Sequence, residues 1–238
     1  MLKKIIISVI LTSYFLLLTS NSIALELQSP RFKLDVENLD LDVKEDKLIV
    51  YTIQNLQGVQ AFMQFKSKGY AITTNGSDKD MIFSLSQSIV NLGEISPGQS
   101  RQGELILSLS TANELDYFVT LIQEYPLKNF SGQTIPATSC DGGGIICSLS
   151  KASPWTSQSA YGFGYSLSGV NVDSDFINNT YFRSMPNQNN GDSPTVIMAK
   201  KGKSSDAEAK ITFKLNPPPS QPAGTYETII DFVAIPGY

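Results

Sequence analysis

Few residues in this chain have the types and spacing that do chemistry, and its two cysteines come first. Cys140 and Cys147 enclose six residues, three of them the glycines Gly142, Gly143 and Gly144. At that spacing two thiols can close a disulfide, hold a metal or work as a redox pair. The chain has no histidine to complete a metal or redox centre. Glycine takes the positive φ angles of a tight closed loop, and the loop-entropy argument gives such a bridge about 2–3 kcal/mol. The pair reads as a structural disulfide.

Hard oxygen ligands form the next group. Asp173, Asp175 and Asn178, with Asn179 beside them, lie close enough in sequence to hold calcium. The glycine and terminal glutamate of an EF-hand loop are missing, and acidic loops also form solvated turns. Calcium is therefore an expectation to test, and no other cofactor is expected. An aromatic set follows. Trp155, Tyr161, Tyr165 and Tyr181, with Phe163 and Phe182, could offer stacking faces to sugar rings. The preferred reading is core, because Tyr161, Phe163 and Tyr165 alternate onto one strand face. Gly162 and Gly164 between them suggest close backbone packing on the other.

Catalysis finds little support. Without histidine there is no Ser-His-Asp or Cys-His arrangement, and no Ser-Lys pair sits in a strained elbow. Asp141, Asp173, Asp175, Asp192 and Asp231 are available as paired carboxylates for glycoside cleavage. Asp231 lies mid-strand, opposite in facing to Ile230 and Phe232, and reads better as an exposed residue or a partner for Arg183. No catalytic residue is assigned. A final strand ending in Pro236-Gly237-Tyr238 resembles the donor strands by which pilin-like subunits complete a neighbour's sheet, but an ordinary closing strand is preferred.

The elements that must position these residues are strands. Alternation of apolar and polar residues marks 32–36, 39–43, 48–53, 59–65, 81–85, 105–109, 117–121, 161–167, 211–215 and 226–235. Shorter strands are expected at 69–73, 89–92, 176–183 and 196–198. Pro217, Pro218 and Pro219 cannot donate to a ladder and make 217–224 a loop. At the start, Lys3 and Lys4 precede an apolar run from Ile5 to Leu18, and Ser22-Ile23-Ala24 supplies small residues for cleavage. That is the layout of a secretory signal peptide, expected to be helical; the alternative is a retained anchor. Removing residues 1–24 takes Lys plus Arg from 18 to 16 against 22 acids, a net charge of −6. Such a balance argues against nucleic acid, and no later run is long and apolar enough to span a bilayer. Two cysteines in an exported chain usually pair.

Several strings carry a resemblance as well. Glu124-Tyr125-Pro126-Leu127, Ile135 to Cys140, Tyr161 to Gly164, Tyr181 to Met185 and Gln221 to Tyr226 stand in the order of a family of exported β-sandwich surface proteins from environmental bacteria. Those proteins carry ENHPL, IPDTTC, YGFG, YFRQF and QAAGTY in the same places. The resemblance spans roughly residues 50–238 and implies compartment and fold. The family has no established activity, so it implies no chemistry. Tyr125 stands where the family often has histidine, which speaks against a catalytic histidine there.

The expectation is therefore an all-β protein: an antiparallel Ig-like or jelly-roll-type β-sandwich with a disulfide-tied crossover loop. It is divided into a signal peptide (1–24), an N-terminal β-strand region (25–77) and a sandwich domain (78–238). The expected role is structural or adhesive, secreted or at the cell surface, and non-enzymatic. Partners would be a cell-envelope component, a glycan, another surface protein or a second copy. A carbohydrate-binding module is the alternative, and a pilin-like subunit or hydrolase comes third.

Overall fold

The computed structural model describes residues 27–29, 32–34, 58–69, 72–74, 77–79, 81–96, 98–111, 116–142, 146–201 and 206–236. The chain divides into two compact units, Met1–Thr52 and Ile53–Tyr238. In the first, β1 (Leu27–Ser29) and β2 (Phe32–Leu34) pair antiparallel. The expected signal helix and the strands at 39–43 and 48–53 lie outside the described residues.

The second unit contains β3 (Val59–Gly69), a small hairpin of β4 (Ile72–Thr74) and β5 (Ser77–Lys79), β6 (Met81–Leu85), β7 (Ile89–Ile95), β8 (Arg101–Thr111) and β9 (Tyr117–Gln123). After these come β10 (Lys128–Asn129), β11 (Ser153–Pro154), β12 (Gly162–Gly169), β13 (Tyr181–Ser184), β14 (Thr195–Lys200), β15 (Ala207–Asn216) and β16 (Gly224–Pro236). One sheet runs β14-β9-β16-β3-β7, with β10 also on β16; the other runs β11-β13-β12-β15-β8-β6. Successive long strands alternate between the two sheets. No α-helix occurs among the described residues, and none there is long and apolar enough to cross a membrane.

Period-2 patterning builds the core between the sheets. From the first sheet, Ala61, Met63, Leu121, Ile230 and Phe232 turn inward; from the second come Leu107, Phe163, Ile211, Phe213 and Leu215. Rings from both sheets meet there: Phe65 lies 5.5 Å from Phe213 and Phe163 lies 6.1 Å from it, both stacked.

Three expectations change. The division near residue 77 moves to between Thr52 and Ile53, because β3 is an inner strand of the first sheet, between β16 and β7. Pairing is not wholly antiparallel, since β3 and β16 run parallel from Val59↔Gly224 to Gly69↔Ala234. The strand expected over 176–183 shrinks to β13. Asn171, Asn178 and Asn179 have φ of 62, 51 and 54° and turn the chain before it. Asparagine adopts that left-handed region more readily than other side chains bearing a Cβ.

Candidate functional site

The crossover between β10 and β12 contributes β11 to the second sheet and packs Trp155 over the outer face of β12 and β15. On that face Lys214 and Asn216 are buried although polar, and they donate to the crossover carbonyls of Trp155, Gln158 and Ala160; Ser166 and Thr212 beside them are buried too. The first part of the crossover is laced to β12 edge to edge, with Ala137 bridged parallel to Phe163. Thr138 N donates to the Phe163 carbonyl and Phe163 N to that of Pro136, both at 2.9 Å. Two glycines permit the approach. A Cβ on Gly162, whose φ is +122°, would lie 2.7 Å from Thr138 Cα; one on Gly164 would lie 2.6 Å from the Arg183 carbonyl oxygen. No side chain fits at either distance.

Cys140 and Cys147 form a disulfide with Cα atoms 5.6 Å apart. Both are buried, and with Trp155 and Phe182 they make a second apolar cluster. Gly142 has the positive φ expected of a closing loop, +71°, and Cys140 itself has φ 60°; Gly143 and Gly144 lie outside the described residues. Trp155 packs edge-on against Phe182 at 5.4 Å. Its indole Nε1 donates to the Ala160 carbonyl at 2.9 Å.

Lys214 rises from β15 into this cluster. Its Nζ sits 4.6 Å above the Trp155 ring and 5.3 Å from the Phe182 ring, and it donates to the Trp155 carbonyl at 2.6 Å. Burial holds its pKa below the usual lysine range, against the attraction of Asp141. Asp141 fastens the following turn by accepting from Thr156 N, Thr156 Oγ1 and Ser157 N. Partial burial pushes its pKa up, but those donors outweigh burial and hold it below the usual carboxylate value.

The expected ligand-binding residues separate. Trp155 is 1% exposed and Tyr165 fully buried, so neither presents a ring face to a sugar. Both serve the core reading. Burial drives the Tyr165 hydroxyl pKa up. Tyr181 is half-buried beside β11. Tyr161, also half-buried, lines a shallow hollow of about 480 Å³ beside the disulfide, together with Pro136, Ser139, Asp141, Ser159 and Pro218. Sequence reasoning passed over Phe130, which is 98% exposed. It sits in a turn braced by Asn129, whose Oδ1 accepts from Gln133 N and whose Nδ2 donates to Gln133 Oε1, both at 2.9 Å. An aromatic inside an Asn-Phe-Ser-Gly turn was the available signal.

The expected calcium ligands already have a cation. Arg183 Nη2 reaches Asp173 Oδ2 at 2.6 Å and Asp175 Oδ1 at 2.8 Å. The other oxygen of Asp175 accepts from Ala152 N at 2.6 Å. Arg183 is buried and lies over the Phe176 ring at 4.6 Å. Burial lowers its pKa, but the two carboxylates prevail and raise it. Asn178 is exposed. Among the described residues no group of three or more acids, cysteines or histidines could hold a metal.

Asp231 is a different case and does not partner Arg183. It lies on the outer face of the first sheet in a groove of about 270 Å³, lined also by Lys66, Lys68, Ile122 and Asp192. Lys66 pairs with Glu124 there. Burial first, then Glu124, push the Asp231 carboxyl pKa up against Lys66 and Lys68. Comparison with protein-family models and with curated proteins finds no match to the chain.

Proposed function

We propose that the chain is an exported, non-enzymatic protein of the cell surface or its exterior, structural or adhesive in role. The observation that carries this reading is the disulfide, buried against Trp155 and Phe182 in the crossover. Such bonds persist in oxidising compartments. The leader-like residues 1–24 point the same way, as does the resemblance to exported surface proteins. The strand path, alternating between sheets, favours a jelly-roll-type or Ig-like sandwich. Its partner would be a cell-envelope component, a glycan or another surface protein. Cell fractionation with thiol labelling tests the proposal. The expected result is an extracytoplasmic protein without free thiols that has lost its first residues. A cytosolic, thiol-reactive chain would overturn it, and turnover of a polysaccharide or peptide would overturn the non-enzymatic part.

A carbohydrate-binding role is the second reading, favoured by the hollow in which Tyr161 lies beside the Ser139 and Ser159 hydroxyls. An aromatic face next to hydroxyls suits a sugar ring. Retention on glycan arrays, lost in Tyr161→Ala with the melting temperature unchanged, would establish it. Uniform absence of retention would dismiss it.

A further inference from the structure

An open sheet edge offers its N–H and C=O groups to another chain, and proteins blunt such edges with bulges, charges, proline or short length. The two main strand paths end in four edge strands, and three of these are blunted. In β7 an extra residue interrupts pairing with β3: Gln60 faces Glu94 but Phe62 faces Asn91. Gly93 there has φ +70°, and its N–H donates to Asn91 Oδ1 at 2.7 Å. In β14 the register slips between Val196 and Met198, and the strand ends in Lys200. The β11 edge has two residues, and Pro154 has no N–H.

The β6 edge has none of these devices. Met81 to Leu85 hold unbroken register with β8, from Met81↔Thr111 to Leu85↔Leu107, with no charge, glycine or proline. Past Leu85 the lane along β8 is closed. Ser86 N donates to the Ile106 carbonyl and Ser86 Oγ accepts from Ile106 N, both at 3.0 Å. Gln87 Nε2 donates to the Glu104 carbonyl at 2.8 Å. Among the described residues nothing pairs with the outer side of β6. Burial agrees: Phe83 and Leu85 pack against the core but are only partly buried, and Ile82 on the other face is 64% exposed.

We infer that the outer edge of β6 pairs antiparallel with β6 of a second copy of this chain, about a two-fold axis through Phe83. In that register Met81 faces Leu85 of the second copy, Ile82 faces Ser84, and Phe83 faces Phe83. Side chains alternate with period two, so core-side residues oppose core-side residues and both layers continue across the junction. The contact is isologous and closes at two copies. It completes the free ladders of both edges and covers Phe83, Leu85 and Ile82 together. This deepens the structural part of the proposed role by naming the partner, and it rests on that reading only for its biological setting.

Sedimentation of the full-length protein over a concentration series tests the pairing. The mass is expected to rise from 26.0 kDa towards twice that value. In the same samples the outward-facing amides of Met81, Phe83 and Leu85 should gain hydrogen-exchange protection as concentration rises. Ile82→Lys places a charge on the edge at an exposed site, so the fold survives. It should weaken association at least tenfold at an unchanged low-concentration melting temperature, while Val170→Lys, at another exposed apolar position, should not. A single-copy mass at every concentration would overturn the inference. So would wild-type association in Ile82→Lys, or new protection on β7 or β14 instead of β6. These outcomes are read in solution, so their failure is distinct from finding the protein inside the cytosol.

Discussion

Removing the disulfide should loosen the crossover while leaving the main core intact. Cys140 and Cys147 are separated by 7 positions, closing a loop of eight residues. The chain-entropy relation gives about 8 cal/mol/K for that length, or about 2.5 kcal/mol at 25 °C. For a domain of this size each kcal/mol shifts melting by about 2–4 °C, so Cys140→Ala/Cys147→Ala should melt about 5–10 °C lower. The chain reports on itself, because Trp155 is its one tryptophan and packs in the same cluster as the bridge. Tryptophan fluorescence therefore follows the crossover, while far-ultraviolet circular dichroism follows the strands. In the variant the fluorescence transition should precede the dichroism transition, with acrylamide reaching Trp155 at lower urea. In the parent the two should coincide. A variant melting within about 1 °C of the parent, or one whose two transitions still coincide, would refute the claim that the bridge holds the crossover in place.

Other outcomes follow from single contacts. Gly164→Ala forces a Cβ towards the Arg183 carbonyl oxygen and Thr138 Cγ2, and urea unfolding should show a loss of about 1–3 kcal/mol. Replacing Asp173 and Asp175 together by alanine leaves the buried Arg183 guanidinium without its carboxylates, and about 3–5 kcal/mol should be lost. In the parent, neither calcium nor a chelator should move the melting temperature. Asp231 has a folded pKa above its unfolded one. Its ionisation therefore costs nothing below the unfolded value, and the cost grows as pH rises through the folded value to become complete near neutrality. Asp231→Asn should accordingly melt higher than the parent at about pH 7 and equal to it at about pH 3.

Strands with one wet face were easy to read from residue order. In β9 and β16 buried and more exposed positions alternate along nearly the whole length. The β15 stretch Lys210 to Leu215 also shows clean alternation, yet its polar face is covered from Thr212 onward. Alternation reports which side chains share a face, but a crossover that later folds over that face leaves no periodic mark. The glycines of β12 were the legible trace of that cover, since Gly162 and Gly164 sit where another backbone must come close. The acids at 173 and 175 misled because ligand chemistry is the same for calcium and for guanidinium. Arg183 lies a few residues further along the chain, and only the turn through Asn178 and Asn179 brings it back onto them. Phe130 escaped because a lone aromatic in a turn has no period.

The pairing of β3 with β16 also bears on when this protein can fold. The first long strand of the second unit lies between β7 and a strand that begins at Gly224. That later strand is the middle one of its sheet, flanked by β9 as well as β3. While the chain emerges in order, from a ribosome or through a membrane pore, β3 has nothing on one side until almost everything after it has appeared. The first sheet cannot close piecemeal, and pairing so distant in sequence is slow to form. A chain wired this way stays threadable for most of its passage and sets into shape only near the finish.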